Sequence, residues 1–232
     1  MKIQTITRAF FCTAFAGFAA MAQAQSDITW QSPITISGAS DVNTSGTLFG
    51  TWAPFNGGAL SGLTVNGVTF QAFPDLPGAA DSFDNGGGNG TFNSPGTLDN
   101  NYNTLLNAAA FGNGAGPYTV SWNGMTTGNT YLVQFWVNDA RNSTANARSE
   151  TLTGGANTSA ALKFGSGETG PGQYIIGTFV AGGASESLTV NADVSAQFNL
   201  IQVRDITPVP EPSTMALCLA GFGMLLVASR KK

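Results

Sequence analysis

Short blocks in which apolar and polar residues alternate, separated by turn signals, run through most of the chain. The clearest block covers residues 63–70, where Asn66 and Gly67 form a two-residue turn of the primed type that matches strand twist. Folding about this turn places Val65 opposite Val68, and the outer apolar residues fall on the same face. We therefore predict a β-hairpin at 63–70.

Six further segments have the composition and the flanking turn residues of strands. They are 118–122, 130–138, 160–164, 173–181, 187–191 and 197–206. Apolar residues alternate with Gln134 and Asn138 in the second of these, which predicts a half-buried strand. The last mixes Leu200, Ile201 and Val203, which suits a central strand covered on both faces.

One segment has a helical spacing of apolar residues, at 102, 105, 106 and 109, with Gly112 just after it. We predict a single short helix over 102–111. Many short strands and one short helix indicate a mainly β fold, of the β-sandwich or jelly-roll type.

The N-terminus has the three parts of a secretion signal. Lys2 and Arg8 precede an apolar run, and the run ends at the small residues Ala22 and Ala24. We predict a signal peptide at 1–24 and a mature chain that begins at Gln25. The alternative is an N-terminal core helix.

The C-terminus contains Val209, Pro210, Glu211 and Pro212, followed by an uncharged apolar stretch and a basic end. A helix over 213–229 would span roughly 25 Å, slightly less than a bilayer core of roughly 30 Å. Such a helix suits a transient membrane anchor. The basic end, Arg230, Lys231 and Lys232, predicts a cytoplasmic C-terminus by the positive-inside rule, with the domain on the outer face of the inner membrane.

These three parts, in this order, resemble the PEP-CTERM sorting domain. The resemblance covers about the last 24 residues. It implies recognition by a membrane peptidase, the exosortase, in Gram-negative bacteria that make extracellular polysaccharide. The implied course is export, transient anchoring in the inner membrane through the tail at 207–232, and delivery to the outer surface or extracellular matrix.

Between the two ends lies one predicted domain, residues 25–206, with four basic and twelve acidic residues and therefore a net charge of −8. Nucleic acid is an unsuitable partner, because phosphate binding needs clustered Lys and Arg. The chain has no His, and Cys12 and Cys218 both lie in the terminal segments. A disulfide, a thiol nucleophile, a Ser-His-Asp triad and an imidazole metal site are therefore excluded from the domain.

What remains is carboxylate chemistry, either paired acids or an oxygen-rich Ca²⁺ site. Residues 75–101 are rich in Gly, Asn and Asp and predict a long surface loop, in which 81–90 is the candidate Ca²⁺-binding part. A solvated loop is the preferred interpretation and Ca²⁺ binding the alternative, because neither the EF-hand nor the RTX spacing is present. We expect no metal and no cofactor.

Blocks at 130–139, 173–179 and 198–204 resemble the closing strands of galactose-binding-like jelly rolls. The resemblance concerns the fold and implies no ligand residues. Fold alone does not determine function.

Two candidate ligand features stand out. Trp136 is either a sugar-stacking ring or a core residue, and we prefer the core. The other large aromatic residues are expected to be structural: Trp30, Trp52, Tyr102, Tyr118 and Trp122.

The second feature is a charged cluster around one loop, with Asp139, Arg141, Arg148 and Glu150. It is either a ligand-contacting rim, with Asp139 and Arg141 as candidates, or an ion pair that stabilises the loop, Asp139 with Arg141 or Arg148 with Glu150. We prefer the ion pair. Asp139 and Glu150 are also the candidate acids if the domain is a glycosidase-like enzyme.

The sequence thus predicts a non-enzymatic, exported envelope or matrix protein that is structural or associated with exopolysaccharide. A carbohydrate-binding module is the first alternative and a secreted glycosidase-like enzyme the second.

Overall fold

The computed structural model describes residues 25–54, 62–71, 76–87, 92, 96, 99–165 and 170–209. The predicted signal peptide, the tail from residue 210 onward and the glycine run at 88–90 lie outside the described residues. The described part is mainly β, in agreement with the predicted class.

Seventeen strands and three short helical segments are present in the described residues. The strands are β1 Thr29–Trp30, β2 Ile34–Thr35, β3 Thr47–Trp52, β4 Leu63–Val65, β5 Val68–Phe70, β6 Ala80–Asp81, β7 Asn85–Gly87, β8 Ala109–Phe111, β9 Tyr118–Asn123, β10 Thr130–Val137, β11 Ser149–Gly154, β12 Asn157–Thr158, β13 Leu162–Lys163, β14 Gln173–Val180, β15 Ser185–Ala192, β16 Gln197–Phe198 and β17 Leu200–Asp205. The helices are α1 Asn100–Leu106, α2 Ser143–Asn146 and a 3₁₀ turn at Ala39–Asp41.

The first sheet has the strand order β1-β14-β10-β17-β3, with β2 also paired to β14. Every pairing in it is antiparallel. The last strand, β17, lies between β10 and β3, and its residues 200–204 are all buried. The prediction of a central strand covered on both faces is confirmed.

The second sheet has the order β12-β11-β15-β9-β6, with β13 also paired to β11. One hydrophobic core takes residues from both sheets, which indicates that the two sheets pack face to face. Val133 and Phe135 of β10 contribute from the first sheet, and Val120 and Leu188 from the second.

A second core covers the other face of the first sheet. Here Leu132 and Trp136 of β10 pack with Phe70 of the hairpin and with Leu105 of α1. The prediction that β10 is half-buried is therefore wrong: residues 131–137 are all buried, because the hairpin and α1 form a further layer over the sheet. The hairpin itself is confirmed, with Val65 opposite Val68.

The predicted helix at 102–111 is only partly correct. The helix covers Asn100–Leu106, and the side chain of Asp99 caps its start by accepting a hydrogen bond from the backbone N–H of Tyr102 at 2.7 Å. Ala109–Phe111 is instead strand β8, which pairs with β7 and β16. The apolar residue at 109 fits the helical period by coincidence, and the pairing with neighbouring strands determines its conformation.

Two predictions about extended segments need correction. The predicted strand at 160–164 is shorter and covers Leu162–Lys163. The predicted loop at 75–101 is not one continuous loop, because it contains β6 Ala80–Asp81 and β7 Asn85–Gly87, and α1 begins at Asn100. Strands β3 and β11, at 47–52 and 149–154, were not predicted.

The chain leaves the domain at one end of the first sheet, and the loop after β10 lies at the other end. At one end the backbone N–H of Ile206 donates to the carbonyl of Thr130 at 2.9 Å, and the chain leaves the domain there. At the other end the backbone N–H of Asn138 donates to the side-chain oxygen of Asn199 at 2.6 Å. Because β10 has eight residues, the two ends lie roughly 25 Å apart.

Candidate functional site

The candidate site begins where β10 ends. Asp139 lies in the loop after β10, and its side chain has no exposed surface. Its carboxylate accepts hydrogen bonds from Arg141, at 2.7 Å from Nε and 2.5 Å from Nη2. It also accepts from Nη2 of Arg148. The predicted pair of Asp139 with Arg141 is confirmed, whereas Arg148 pairs with Asp139 and not with Glu150.

Each guanidinium group also lies over an aromatic ring. The guanidinium carbon of Arg141 is 4.8 Å from the centre of the Phe92 ring, and that of Arg148 is 4.5 Å from the centre of the Phe164 ring. Such contacts are favourable because the ring face is the negative part of its quadrupole. The rings and Asp139 together fix both cations in place.

Burial distinguishes the two arginines. The side chain of Arg141 is 40% exposed and that of Arg148 only 11% exposed. Hydrogen bonding to Asp139 raises the pKa of Arg141, whereas burial lowers the pKa of Arg148. Arg148 also donates to the backbone carbonyl of Ala145 at 3.0 Å, so it is largely committed to the fold. Arg141 is the one that can offer donors to a ligand.

The two arginines line a groove of about 280 Å³. We call it the arginine groove; its walls include Phe92, Phe111, Asn113, Arg141, Arg148 and Gln197. A second hollow of about 480 Å³ shares Arg141 and Arg148 and adds Val194, which is 62% exposed. The groove therefore combines cationic, amide and apolar surface.

Buried amides hold the loop under the groove. Nε2 of Gln197 donates to the carbonyl of Asn138 at 2.7 Å. Nδ2 of Asn199 donates to the carbonyls of Leu106 and Ala108 at 2.9 and 2.8 Å. The network ties the end of β10 to β16 and α1, and it brings Asp139 to a defined position.

Glu150 lies beside this network in β11 and is 2% exposed. Its Oε2 accepts from the backbone N–H of Gln197 at 2.9 Å, while its Oε1 has no hydrogen-bond partner among the described residues. Burial raises the pKa of Glu150 well above its usual range, and the Gln197 N–H and Arg148 only partly oppose this. Glu150 is therefore buried beside the groove and is not one of the residues that line it.

Trp136 offers no stacking surface. It is fully buried, its Nε1 donates to the hydroxyl of Tyr102 at 2.7 Å, and its ring meets Phe70 edge-on at 5.9 Å. The ring is a core residue and is not available to a sugar. Among the aromatic residues expected to be structural, Trp52, Tyr102 and Trp122 are buried. Trp30 and Tyr118 are partly exposed and pack against the core.

At 81–87 the carboxylates have protein partners. The carboxylate of Asp84 accepts from the backbone N–H of Asn113 at 2.8 Å and from the hydroxyl of Tyr118 at 2.7 Å. These bonds hold the pKa of Asp84 below its usual value. Among the residues that the structure describes, no group of three or more acidic, His or Cys side chains is arranged to hold a metal ion.

The structure adds residues to the site that the sequence did not single out. Phe92, Gln197 and Asn199 come from segments far from 139–150 in the chain. A signal was present for the two amides, since Gln197 and Asn199 flank Phe198 directly before the apolar residues Leu200 and Ile201. Nothing in the sequence indicates that Phe92 lies under Arg141.

At the opposite end of the sheet the chain passes into the tail. Val209, the first residue of the predicted sorting motif, is 83% exposed. No helix in the described part of the chain is both long and apolar enough to cross a membrane. The motif residues 210–212, the predicted helix at 213–229 and the basic end lie outside that part.

Comparison with known proteins identifies the tail. No curated protein and no solved structure shows a significant match to the chain. Residues 208–232 match the family model of the PEP-CTERM protein-sorting motif. The chain therefore carries a PEP-CTERM sorting motif, which indicates an exported protein with a membrane-anchoring tail that is targeted to an exosortase.

Proposed function

We propose that the chain is a cell-envelope protein that is exported, anchored transiently in the inner membrane and released by an exosortase to the outer surface or matrix. In this proposal residues 1–24 are a removed signal, 25–206 a jelly-roll-like β-sandwich, and 207–232 the sorting tail. The match at 208–232 is the observation that carries it.

The proposal is tested by replacing Pro210, Glu211 and Pro212 with alanine in a strain that has an exosortase. A tag inside the domain reports where the protein is found after fractionation. Wild-type protein should leave the inner membrane without its tail, while the variant should stay there at full length. A variant that leaves the membrane as readily as wild type would show that the segment is not a sorting signal.

We propose further that the domain is not an enzyme. The two acids that glycoside hydrolysis would need are unsuited to it, because Asp139 is occupied by Arg141 and Arg148 and Glu150 is buried. The alternative remains testable: saccharide turnover that is lost on Asp139→Asn or Glu150→Gln, in variants that still fold, would favour a glycosidase-like enzyme.

A second candidate function is carbohydrate binding, and the arginine groove is the observation that favours it. Arg141 is fixed on Phe92 yet 40% exposed, in a domain whose net charge is negative. A guanidinium group donates charge-assisted hydrogen bonds to carboxylates. The half-buried ring of Phe111 adds apolar surface to the groove. The ligand class that fits is an acidic saccharide, and the groove lies at the end of the sheet away from the tail.

Co-sedimentation with polygalacturonate, a carboxylate polymer, tests this function, with uncharged dextran as the comparison. We expect binding to polygalacturonate that weakens with salt and is lost in Arg141→Gln. Lys163→Gln is the matched control, since Lys163 is an exposed cation on β13 outside the groove and its loss should change little. Equal losses in the two variants, or equal binding to dextran, would contradict a specific site.

A further inference from the structure

The folded domain ends very close to the sorting motif. The backbone N–H of Thr130 donates to the hydroxyl of Thr207 at 2.8 Å, and the backbone N–H of Thr207 donates to the side chain of Asp205 at 2.9 Å. Only Pro208 and Val209 then separate Thr207 from Pro210. Thr207 is therefore the last residue that hydrogen bonds hold against the domain among those described.

We call the segment from Thr207 to Glu211 the tether; it is short compared with the domain. Four residues lead from Thr207 to Glu211, and a fully extended chain of four residues spans at most about 14 Å. A compact domain of 182 residues has a radius of gyration of roughly 16 Å and is therefore about 40 Å across. Any peptidase that holds Glu211 in its active site must meet the surface of the domain.

Lengthening the tether would cost stability, because residues would have to leave the folded domain. Releasing Ile206 and Thr207 would add roughly 7 Å. Asp205 comes next, and it pairs with Tyr131 on one side and with Thr47 on the other. Releasing more residues would require β17 to leave the middle of the first sheet, which would expose both cores to solvent.

The surface that surrounds the tether consists mostly of one kind of residue. We call it the end face; its segments are 44–47, 126–130, 181–184 and 205–209. The four segments are held together, since the backbone N–H of Gly128 donates to the carbonyl of Ala181 at 2.8 Å and Nε of Arg204 donates to the carbonyl of Ser45 at 2.6 Å. Small uncharged residues make up most of it.

Asp205 is the only charged residue in those four segments, and its carboxylate accepts from Nδ2 of Asn129 at 2.8 Å. The guanidinium of Arg204 lies against these segments, but Arg204 is 6% exposed and donates to the carbonyls of residues 44–46. The four segments therefore offer no exposed Lys or Arg to anionic lipid headgroups. Small side chains without net cationic charge instead allow a second protein surface to approach closely.

We propose that the end face is the surface that the sorting peptidase contacts during processing, and that the short tether makes cleavage depend on it. This inference rests on the proposed function, since it assumes that the tail is cleaved. It adds which face of the domain meets the enzyme and predicts that processing responds to changes outside the motif.

The test measures maturation by pulse-chase in a strain that has an exosortase, using the full chain. In one variant a Gly-Ser linker of about ten residues, roughly 17 Å in r.m.s. span, is inserted between Thr207 and Pro208. In two others Thr44 and Thr127, both exposed on the end face, are replaced together by Arg or together by Glu. A control carries Arg at Thr35 and Ala160, which are exposed and lie outside both the end face and the arginine groove.

With the native tether, both end-face pairs should slow maturation several-fold, while the control pair should not. With the linker, the same end-face pairs should have no effect, and the linker alone should not slow maturation. End-face changes that act equally with and without the linker, or not at all, would overturn the inference. Faster maturation with Arg but slower with Glu would indicate a lipid surface and would also overturn it.

The proposed function and the further inference can be disproved separately. If wild-type protein keeps its tail in the presence of an exosortase, the proposed function fails. If it loses the tail at a rate that neither the linker nor the end face affects, only the inference fails.

Discussion

The carboxylate of Asp139 and the guanidinium of Arg148 form an ion pair at the base of the arginine groove, with the Asp139 side chain wholly buried. Arg141 shares the same carboxylate. A single buried anion thus compensates two cations, one of which is itself largely buried. The arrangement makes the local structure depend strongly on Asp139.

Replacing Asp139 with Asn should therefore destabilise the domain. Removing one partner of a buried ion pair leaves uncompensated charge and costs roughly 3 to 5 kcal/mol. Thermal unfolding followed by circular dichroism measures the change. Asp84→Asn is a suitable control, because Asp84 also accepts two hydrogen bonds but lies at the surface, and its replacement should cost much less. Equal effects would contradict the account of the site.

Glu150→Gln should have the opposite effect at neutral pH. Because burial raises the pKa of Glu150 well above its ordinary value of 4.5, the folded protein binds a proton that the unfolded chain releases. The stability contributed by Glu150 is therefore fully present below about pH 4.5 and is lost as the pH rises toward the folded pKa. The Glu150→Gln variant lacks this pH dependence of stability, because an amide does not titrate.

The prediction is a difference in unfolding free energy between variant and wild type that grows with pH. Near pH 4 the two should be similar, and at pH 7 to 8 the variant should be the more stable of the two. Urea unfolding at both pH values measures this. A variant that is less stable at pH 8 than at pH 4, relative to wild type, would show that Glu150 is charged in the fold and well compensated.

Trp136→Ala should destabilise the domain by roughly 3 to 5 kcal/mol, because a fully buried indole leaves a cavity. Trp136→Phe should cost less, since the ring contact with Phe70 survives and only the bond to Tyr102 is lost. Thermal melting distinguishes them. Unchanged melting of the alanine variant would contradict the core position of this residue.

Local patterns in the sequence predicted the parts of the fold that neighbours in the chain determine. The hairpin at Asn66-Gly67 was predictable because its turn residues and its strand pairs lie within eight positions of one another. The double burial of β17 was predictable because the consecutive apolar residues Leu200 and Ile201 must point to opposite faces of a strand. The full burial of β10 was not, because it depends on α1 and the hairpin covering a face that carries Gln134.

The candidate site shows the same limit. The pairing of Asp139 with Arg141 follows from their closeness in sequence, so the loop predicts it. The partners of Arg148 and Glu150 depend on register between distant strands: Glu150 pairs with Leu162 and Ala192, and its carboxylate reaches the backbone of Gln197. Spacing along the chain carries no information about such contacts.

The most direct test of the account is the intact mass of the mature protein, purified from strains with and without an exosortase. With the exosortase, the account predicts a chain that begins at Gln25 and ends near Pro210-Glu211-Pro212. Without it, the chain should begin at the same residue and retain the tail to Lys232. A mature protein that keeps residues 213–232 in the presence of an exosortase would contradict the account.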